Sequence, residues 1–298
     1  MKIFLTGKNG QLGHKLEKDL KQIYEVIATD RDTLDLIDTQ FIKETIHKVK
    51  PNLIINAAAY TNVDQAEKEK DLVYKVNALA PKALSQAAKA LDIPIIHIST
   101  DYIFDGTKKG AYEEDDQPNP LSVYGITKWQ GEEFVRQYPK HFILRTSWIF
   151  SSHGNNFLQS IFKLAQEKNS LNIIDDQWGS PTSVETLSKA IQIIIQYLNQ
   201  KNNSNLYGTY HVTSDGETNW YLYARKILDT LESFNVELKL KKNQLHPISS
   251  AQYLQDATRP KNSKLNAGKF KFFFMTEFSH WENQVENVIS KIIKDLTN

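Results

Sequence analysis

Cysteine is absent from this 298-residue chain. Disulfides, thiolate nucleophiles and thiolate metal sites are therefore excluded. Long apolar runs are missing too, since nothing approaches the roughly 20 residues that cross a bilayer. Neither charge sign dominates, with 36 basic against 35 acidic side chains. Neither a nucleic-acid surface nor a membrane surface is expected from that balance. The eight histidines show no ligand spacing such as H-E-x-x-H, so no metal is expected. Met1 leads directly into a strand-like Lys2–Thr6. That leaves no room for a signal peptide and points to the cytoplasm. What is present is ordinary for a globular protein: 40% hydrophobic and 24% charged residues.

Ile3-Phe4-Leu5 reads as a short buried strand and runs at once into Gly7-Lys8-Asn9-Gly10-Gln11-Leu12-Gly13. This G-x-x-G-x-x-G opens a helix that carries Leu12, Leu16 and Leu20. Glycines there permit a tight turn, close approach of the backbone to a pyrophosphate, and close helix–strand packing. The next strand, Glu25–Thr29, ends in Asp30, about twenty residues on, where a carboxylate suits a ribose hydroxyl. Asp30 disfavours a 2′-phosphate, while Arg31 and Lys8 stand by to offset it, so NADPH or NADH is the expected cofactor. The plain alternative is a glycine turn followed by a solvated aspartate.

Asp35–Ile37 reads as short and extended, and Thr39–Val49 as a helix ending before Pro51. Leu53–Asn56 is a third buried strand running into Ala57-Ala58-Ala59. Such small side chains let a cofactor lie against backbone, or simply let a helix pack closely. Thr61–Glu67 reads as a loop and helix start, and Tyr74–Leu91 as one long helix. Asn77, on its largely apolar face, is read as a bridge to backbone between elements. The apolar run Ile93–Ile98 is a strand that ends in Ser99-Thr100-Asp101-Tyr102. After a loop with Pro118 and Pro120, a helix runs from near Val123 to Gln137. Tyr124 and Lys128 lie one turn apart on one of its faces. A phenol beside an ammonium is a proton donor, because the positive charge favours the phenolate. Thr100 can hydrogen-bond the same substrate oxygen. The same pair would also fit the surface of any amphipathic helix.

Phe142–Thr146 adds a further strand. The alternation of short apolar strands and helices predicts an α/β fold with a doubly wound, mostly parallel sheet. Ligands belong at the carboxyl ends of its strands, where all these residues fall. Beyond Ser151 the pattern changes. A helix starts at Gly154–Phe157 and runs through Ala165, Leu171–Ile174 is a strand, and Asp176–Thr182 is a rigid polar loop. The apolar helix Val184–Leu198 is expected to return to the first domain, and Lys201–Asn205 is a polar connector. Gly208–Val212 follows as a strand, then an amphipathic helix Trp220–Phe234. Its stripe of Trp220, Ala224, Ile227 and Leu231 is most simply core. Arg259–Leu265 is a polar turn and Trp281–Leu296 a final helix. The expected division is residues 1–150 for a dinucleotide-binding domain and 151–298 mainly for a smaller substrate-binding α/β domain.

Taken together, Gly7–Gly13, Asn56–Glu67, Ser99–Gly106, Tyr124–Lys128, Arg145–Trp148, Asp176–Thr182, Tyr210-His211 and Arg259–Leu265 resemble the dTDP-4-dehydrorhamnose reductases. That family belongs to the extended short-chain dehydrogenase/reductase group, and the similarity spans nearly the whole chain. It implies a Rossmann-type domain and reduction of the 4-keto group of dTDP-4-dehydrorhamnose to dTDP-L-rhamnose, a step of polysaccharide biosynthesis. It implies that Tyr124 donates the proton while Lys128 lowers its pKa and holds the nicotinamide ribose. Thr100 would orient the keto oxygen with Asp101 beside the sugar, and Val63, Tyr102 and Trp148 would line the sugar pocket. Gly7, Gly10, Gln11, Leu12, Gly13, Asp30, Asp35, Leu36, Ala58, Ala59, Tyr60, Thr61 and Ser99 would contact the dinucleotide with Tyr124 and Lys128.

Some members dimerise through magnesium held by glutamates. Lys15 and Lys291 stand at two of those positions here, and only Glu185 is retained. Ammonium groups remove hard oxygen ligands, so the expectation is a monomer or a weak homodimer without bridging magnesium. Glu185 alone is more simply a carboxylate favourable to its helix N-terminus. Two alternatives remain: an enzyme acting on another nucleotide sugar, or a non-catalytic regulatory subunit of methionine adenosyltransferase type. The intact Thr100, Tyr124 and Lys128 argue against the second.

Overall fold

The computed structural model describes residues 1–200 and 206–297, so the connector expected at Lys201–Asn205 lies outside the described residues. Six strands form one parallel sheet: β1 (Lys2–Thr6), β2 (Glu25–Thr29), β3 (Leu53–Asn56), β4 (Ile95–Thr100), β5 (His141–Thr146) and β6 (Gly208–His211). Their order is β6-β5-β4-β3-β1-β2, with every neighbouring pair parallel. The chain reverses direction across the sheet between β1 and β3. That reversal parts the loops there and opens a crevice at the carboxyl ends.

The eight longer helices are α1 (Gln11–Leu20), α2 (Thr39–Val49), α3 (Ala80–Ala90), α4 (Val123–Arg136), α5 (Phe157–Glu167), α6 (Val184–Leu198), α7 (Trp220–Ser233) and α8 (Trp281–Thr297). Strand side chains alternate between two buried faces. Ile3, Leu5, Ile55 and Ile96 pack with Leu12 and Leu16 of α1 and with Leu187 and Ile191 of α6. Phe4, Ile54, Ile95 and Ile143 pack with Ile42 of α2 and Leu84 of α3. The helix α6 thus packs on the first sheet. A separate core joins Phe150, Leu158 and Ile161 to Ala224, Ile227 and Leu231 of α7 and Val285 of α8, and Trp220 packs against it. The stripe on α7 is core.

Two expectations about local structure are corrected. Asp35–Ile37 is not extended but forms a turn: Asp35 Oδ1 accepts from the Ile37 N–H at 3.0 Å, and the Asp38 N–H bonds the Asp35 carbonyl. Such side-chain bonds compete with strand pairing, and Asp38 already caps α2 with its own carboxylate. Nor is Tyr74–Leu91 one regular helix. A short helix Lys70–Tyr74 passes through a wide π turn, Lys75–Leu79, into α3. Pro81 explains the break, because it has no N–H for the Asn77 carbonyl and its ring crowds that carbonyl. The widened turn holds the buried Asn77 side chain. Its amide accepts from the Tyr60 N–H at 2.8 Å and donates to the Tyr60 carbonyl at 3.1 Å. Asn77 is the backbone bridge expected of it.

The segment Asp176–Thr182 is not wholly loop either. It contains the short strand Trp178–Gly179 and the start of Thr182–Ser183.

Candidate active site

A cavity of about 540 Å³ opens at the carboxyl ends of β1, β2 and β3. Gly7, Gly10, Gln11 and Leu12 border it from the glycine turn, Asp30, Asp35 and Leu36 from beyond β2, and Ala58, Ala59, Tyr60 and Thr61 from beyond β3. The structure thus gathers these eleven sequence-predicted residues around one space. Gly13 does not border it. It packs against the turn itself, where a Cβ would stand 1.9 Å from the Gly7 carbonyl oxygen. The first turn of α1 carries no side-chain cap at Gly10 and no acidic residue. Its free N–H groups and positive dipole end fit a pyrophosphate.

Asp30 is partly exposed and well supplied with donors. The Thr33 hydroxyl reaches Oδ1 at 2.8 Å, the Thr33 N–H at 3.0 Å, Asn9 Nδ2 reaches Oδ2 at 3.2 Å, and Lys8 Nζ lies 3.0 Å from Oδ2. The Thr33 hydroxyl first, and Lys8 next, hold this carboxyl well below the usual range. It is a charged acceptor at the rim of the cavity.

Gly154 and Asn155 also border the cavity, although nothing in the sequence around them marks a nucleotide site. Tertiary structure brings them in through Gln11, whose Oε1 accepts from Ser151 Oγ at 2.9 Å and Asn156 Nδ2 at 3.0 Å.

The chemical end lies at the tip of β4. Ser122 caps α4 by accepting from the Gly125 N–H at 3.2 Å, and Gly125 lies so near Tyr102 that a Cβ would stand 2.2 Å from its carbonyl oxygen. This approach seats Tyr124 beside the Thr100–Tyr102 turn. The Tyr102 and Tyr124 rings meet edge to face at 5.6 Å, and Val63 packs in the same cluster. Thr100 Oγ1 donates to Asp101 Oδ1 at 3.0 Å and accepts from the Tyr102 N–H at 3.2 Å.

Burial pushes the Tyr124 phenol up to about 12, with the Thr100 hydroxyl pulling the other way. Lys128 does not lower it as expected. Its Nζ donates to the Ile98 carbonyl at 2.6 Å, and burial brings the ammonium itself down to about 8. In a site this dry, desolvation is the largest influence on both groups. Both side chains are buried, so the surface reading of Tyr124 and Lys128 fails.

Ser99, also buried, leaves its Oγ without a partner, as do His97 Nε2, Asp101 Oδ2 and Thr146 Oγ1 nearby on β4 and β5. Unpaired buried polar atoms gathered at two adjacent strand ends mark a site built for a ligand. Trp148 departs from the cluster: it stacks on Trp220 at 3.6 Å, two residues past the end of β5. Arg259 was not singled out from the sequence as a site residue. It pairs with Asp64 at 2.6 Å and reaches Tyr102.

At the magnesium positions of the family, Lys15 pairs with Asp19 at 2.6 Å, Lys291 lies near His14, and Glu185 sits in the first turn of α6. Among the described residues no group of three or more histidines, aspartates and glutamates is placed to hold a metal.

The fold and site define a dinucleotide-binding, doubly wound α/β protein with a tyrosine–lysine pair at the strand ends. The family model described as RmlD substrate binding domain matches residues 1–293, and the chain belongs to that family. It is 35% identical to the dTDP-4-dehydrorhamnose reductase of Salmonella typhimurium over 302 residues, covering 100% of both chains. The reductase of that name from Aggregatibacter actinomycetemcomitans is 39% identical over 293 residues, 96% of this chain and 98% of the relative. Among solved structures, a dTDP-4-dehydrorhamnose reductase from Clostridium acetobutylicum superposes with a TM-score of 0.90 at 36% identity, covering 98% and 99% of the two chains. One from Bacillus anthracis in complex with NADP gives 0.89 at 34% identity, covering 97% and 99%.

Proposed function

We propose that the protein reduces the 4-keto group of dTDP-4-dehydrorhamnose to dTDP-L-rhamnose with NADPH or NADH. The observation that carries this reading is the buried Tyr124–Thr100 pair at the end of β4, beside the dinucleotide cavity. Full-length identity to several reductases of that name supports it.

A reduced nicotinamide bound along the cavity supplies a hydride for carbon four of the sugar. Tyr124, protonated at neutral pH because it is buried, gives its proton to the oxygen that gains charge. Thr100 orients that oxygen. Lys128, anchored on the Ile98 carbonyl, faces the nicotinamide ribose, and Ser99 lies alongside. Val63 and Tyr102 contact the sugar with Asp101 behind them, and Trp148 closes the pocket from past β5.

Residues 1–150 with α6 form the cofactor domain in this reading, and the rest of 151–298 mainly serves the substrate. The protein acts in the cytoplasm beside the pool of reduced nicotinamide, without nucleic acid. It works as a monomer or a weak dimer lacking bridging magnesium, consistent with Lys15 engaged by Asp19. Among the described residues no helix is long and apolar enough to cross a membrane.

The test is loss of nicotinamide absorbance with dTDP-4-dehydrorhamnose and each cofactor in turn. Consumption of cofactor with formation of a rhamnosyl product is expected. Cofactor binding without turnover of this sugar would overturn the reading.

A further inference from the structure

Tyr124 can meet a substrate oxygen only as well as the first turn of α4 is held. The first N–H groups of a helix find no partner inside it. Ser122 Oγ takes one of them, the Gly125 N–H, at 3.2 Å. The Val123 N–H, one residue before Tyr124, is taken from outside the helix: it donates to Glu67 Oε1 at 2.8 Å. That bond joins residues 56 apart in the chain. A carboxylate at this end of a helix is also favoured by the dipole. Glu67 ends the motif Asn56–Glu67 but does not border the cofactor cavity.

Local packing fixes where Glu67 stands. The one-turn helix Val63–Ala66 is capped by Asn62, whose Oδ1 accepts from the Gln65 N–H at 3.2 Å. Ala66 is fully buried in one cluster with Tyr124 and Val73, against which Val63, Tyr102 and Val123 pack. Its methyl group lets this short helix lie close to the start of α4. Asp64 of the same helix accepts from the Ala257 N–H at 3.0 Å. It also accepts from Arg259 Nη1 at 3.0 Å and Nη2 at 2.6 Å. The short helix is thus pinned from the carboxyl-terminal half of the chain, and Glu67 follows directly after it.

We propose that Glu67 is a positioning residue for the reduction: by holding the Val123 N–H it sets where the Tyr124 phenol stands against the keto oxygen. This rests on the reductase reading above. Glu67 moves no proton and touches no reacting atom; it acts through the backbone of α4. Loss of the bond lets the first turn fray and the phenol drift. Proton donation needs hydrogen-bond distance, and a misplacement of about 1 Å costs on the order of 10²-fold in rate.

The experiment measures kcat and KM with dTDP-4-dehydrorhamnose, and NADPH affinity by fluorescence, in wild type, Glu67→Ala and Glu67→Gln. Glu67→Ala should lower kcat by about 10–100-fold while KM and NADPH affinity stay within about threefold. Glu67→Gln keeps an oxygen able to accept the same bond, so its kcat should lie within about threefold of wild type. Val123→Pro removes the donor instead, at a first helical position that tolerates proline. It should lower kcat as Glu67→Ala does, and the double variant should be no slower than the slower single one.

Val123→Pro decides the matter if Glu67→Ala fails to fold. Unchanged kcat in Glu67→Ala or in Val123→Pro would overturn this role. So would equal losses in Glu67→Ala and Glu67→Gln, or additive losses in the double variant. A kcat loss matched by a higher KM and weaker NADPH binding would overturn it too, because that is general loosening. Wild-type protein that binds NADPH yet leaves the sugar unreduced removes the reductase reading and the role of Glu67 with it. Normal wild-type turnover beside any of the other failures removes the role of Glu67 alone.

Discussion

Asp30 and Asp101 each follow the carboxyl end of a parallel strand, β2 and β4, yet their surroundings act on them in opposite ways. Asp30 meets four donor groups in a partly open crevice, and its carboxyl is held well below the usual range. Asp101 sits in the interior with one oxygen unpaired, and its carboxyl is pushed up to about 6. The nucleotide end of the site is thus polar, solvated and built to keep a charge. The chemical end is dry: it keeps the proton on Tyr124 and makes Asp101 charge more reluctantly than an exposed carboxyl. Binding needs a permanent acceptor for hydroxyl groups, and proton donation needs groups that charge reluctantly.

The sharpest break in this contrast is at the dry end. Tyr124→Phe should lower kcat by about 10²–10⁴-fold, with cofactor affinity nearly unchanged, measured by steady-state kinetics and NADPH fluorescence. A variant that keeps wild-type kcat would remove Tyr124 from the proton path.

Stability against pH separates the two aspartates next. A carboxyl with a lowered folded pKa stabilises the fold above its unfolded value and loses that contribution as pH falls through the folded one. This is Asp30, and its contribution should disappear only in strong acid. A carboxyl with a raised folded pKa does the reverse: the fold is penalised as pH rises from about 4 through 6. Asp101→Asn should therefore be more stable than wild type at pH 7 by up to about 3 kcal/mol, and equal to it near pH 4. Urea unfolding at the two pH values gives the answer.

Asn77→Ala tests the piece that joins the two ends. It deletes both bonds to the Tyr60 backbone and should cost about 1–3 kcal/mol of stability, weakening cofactor binding at Tyr60 and Thr61 as well. The smallest effect is expected at the open end. Asp30→Asn should weaken NADH by about tenfold, the size of one charge-assisted hydrogen bond, and NADPH by less. Titration with each cofactor measures the ratio, and equal losses would show that Asp30 does not choose between them.

Most of the nucleotide end could be read along the chain. Strand, glycine turn, helix and acidic residue follow within Lys2–Asp30, and their chemistry depends on spacing that local geometry enforces. The failures there were local too. Asp35 bonds the Ile37 backbone and curls a segment expected to extend, and Pro81 disturbs the hydrogen bond of Asn77 and interrupts a helix expected to be continuous. The dry end was legible in its residues but not in its physics. Spacing put Tyr124 and Lys128 on one face, and it suggested that the ammonium would draw the phenol down. Burial, which depends on everything packed around them, reverses that direction.

The sequence alone determined the α/β alternation, the carboxyl-end clustering of the polar residues and the identity of the family, because these follow from periodicity and from motifs a few residues long. Only the tertiary structure decided that Gly154 and Asn155 reach the cofactor cavity, that Arg259 faces Tyr102, and that Asp101 is sealed behind Thr100. Those facts join residues far apart in the chain, and their electrostatic consequences come from excluded water, which no local pattern records.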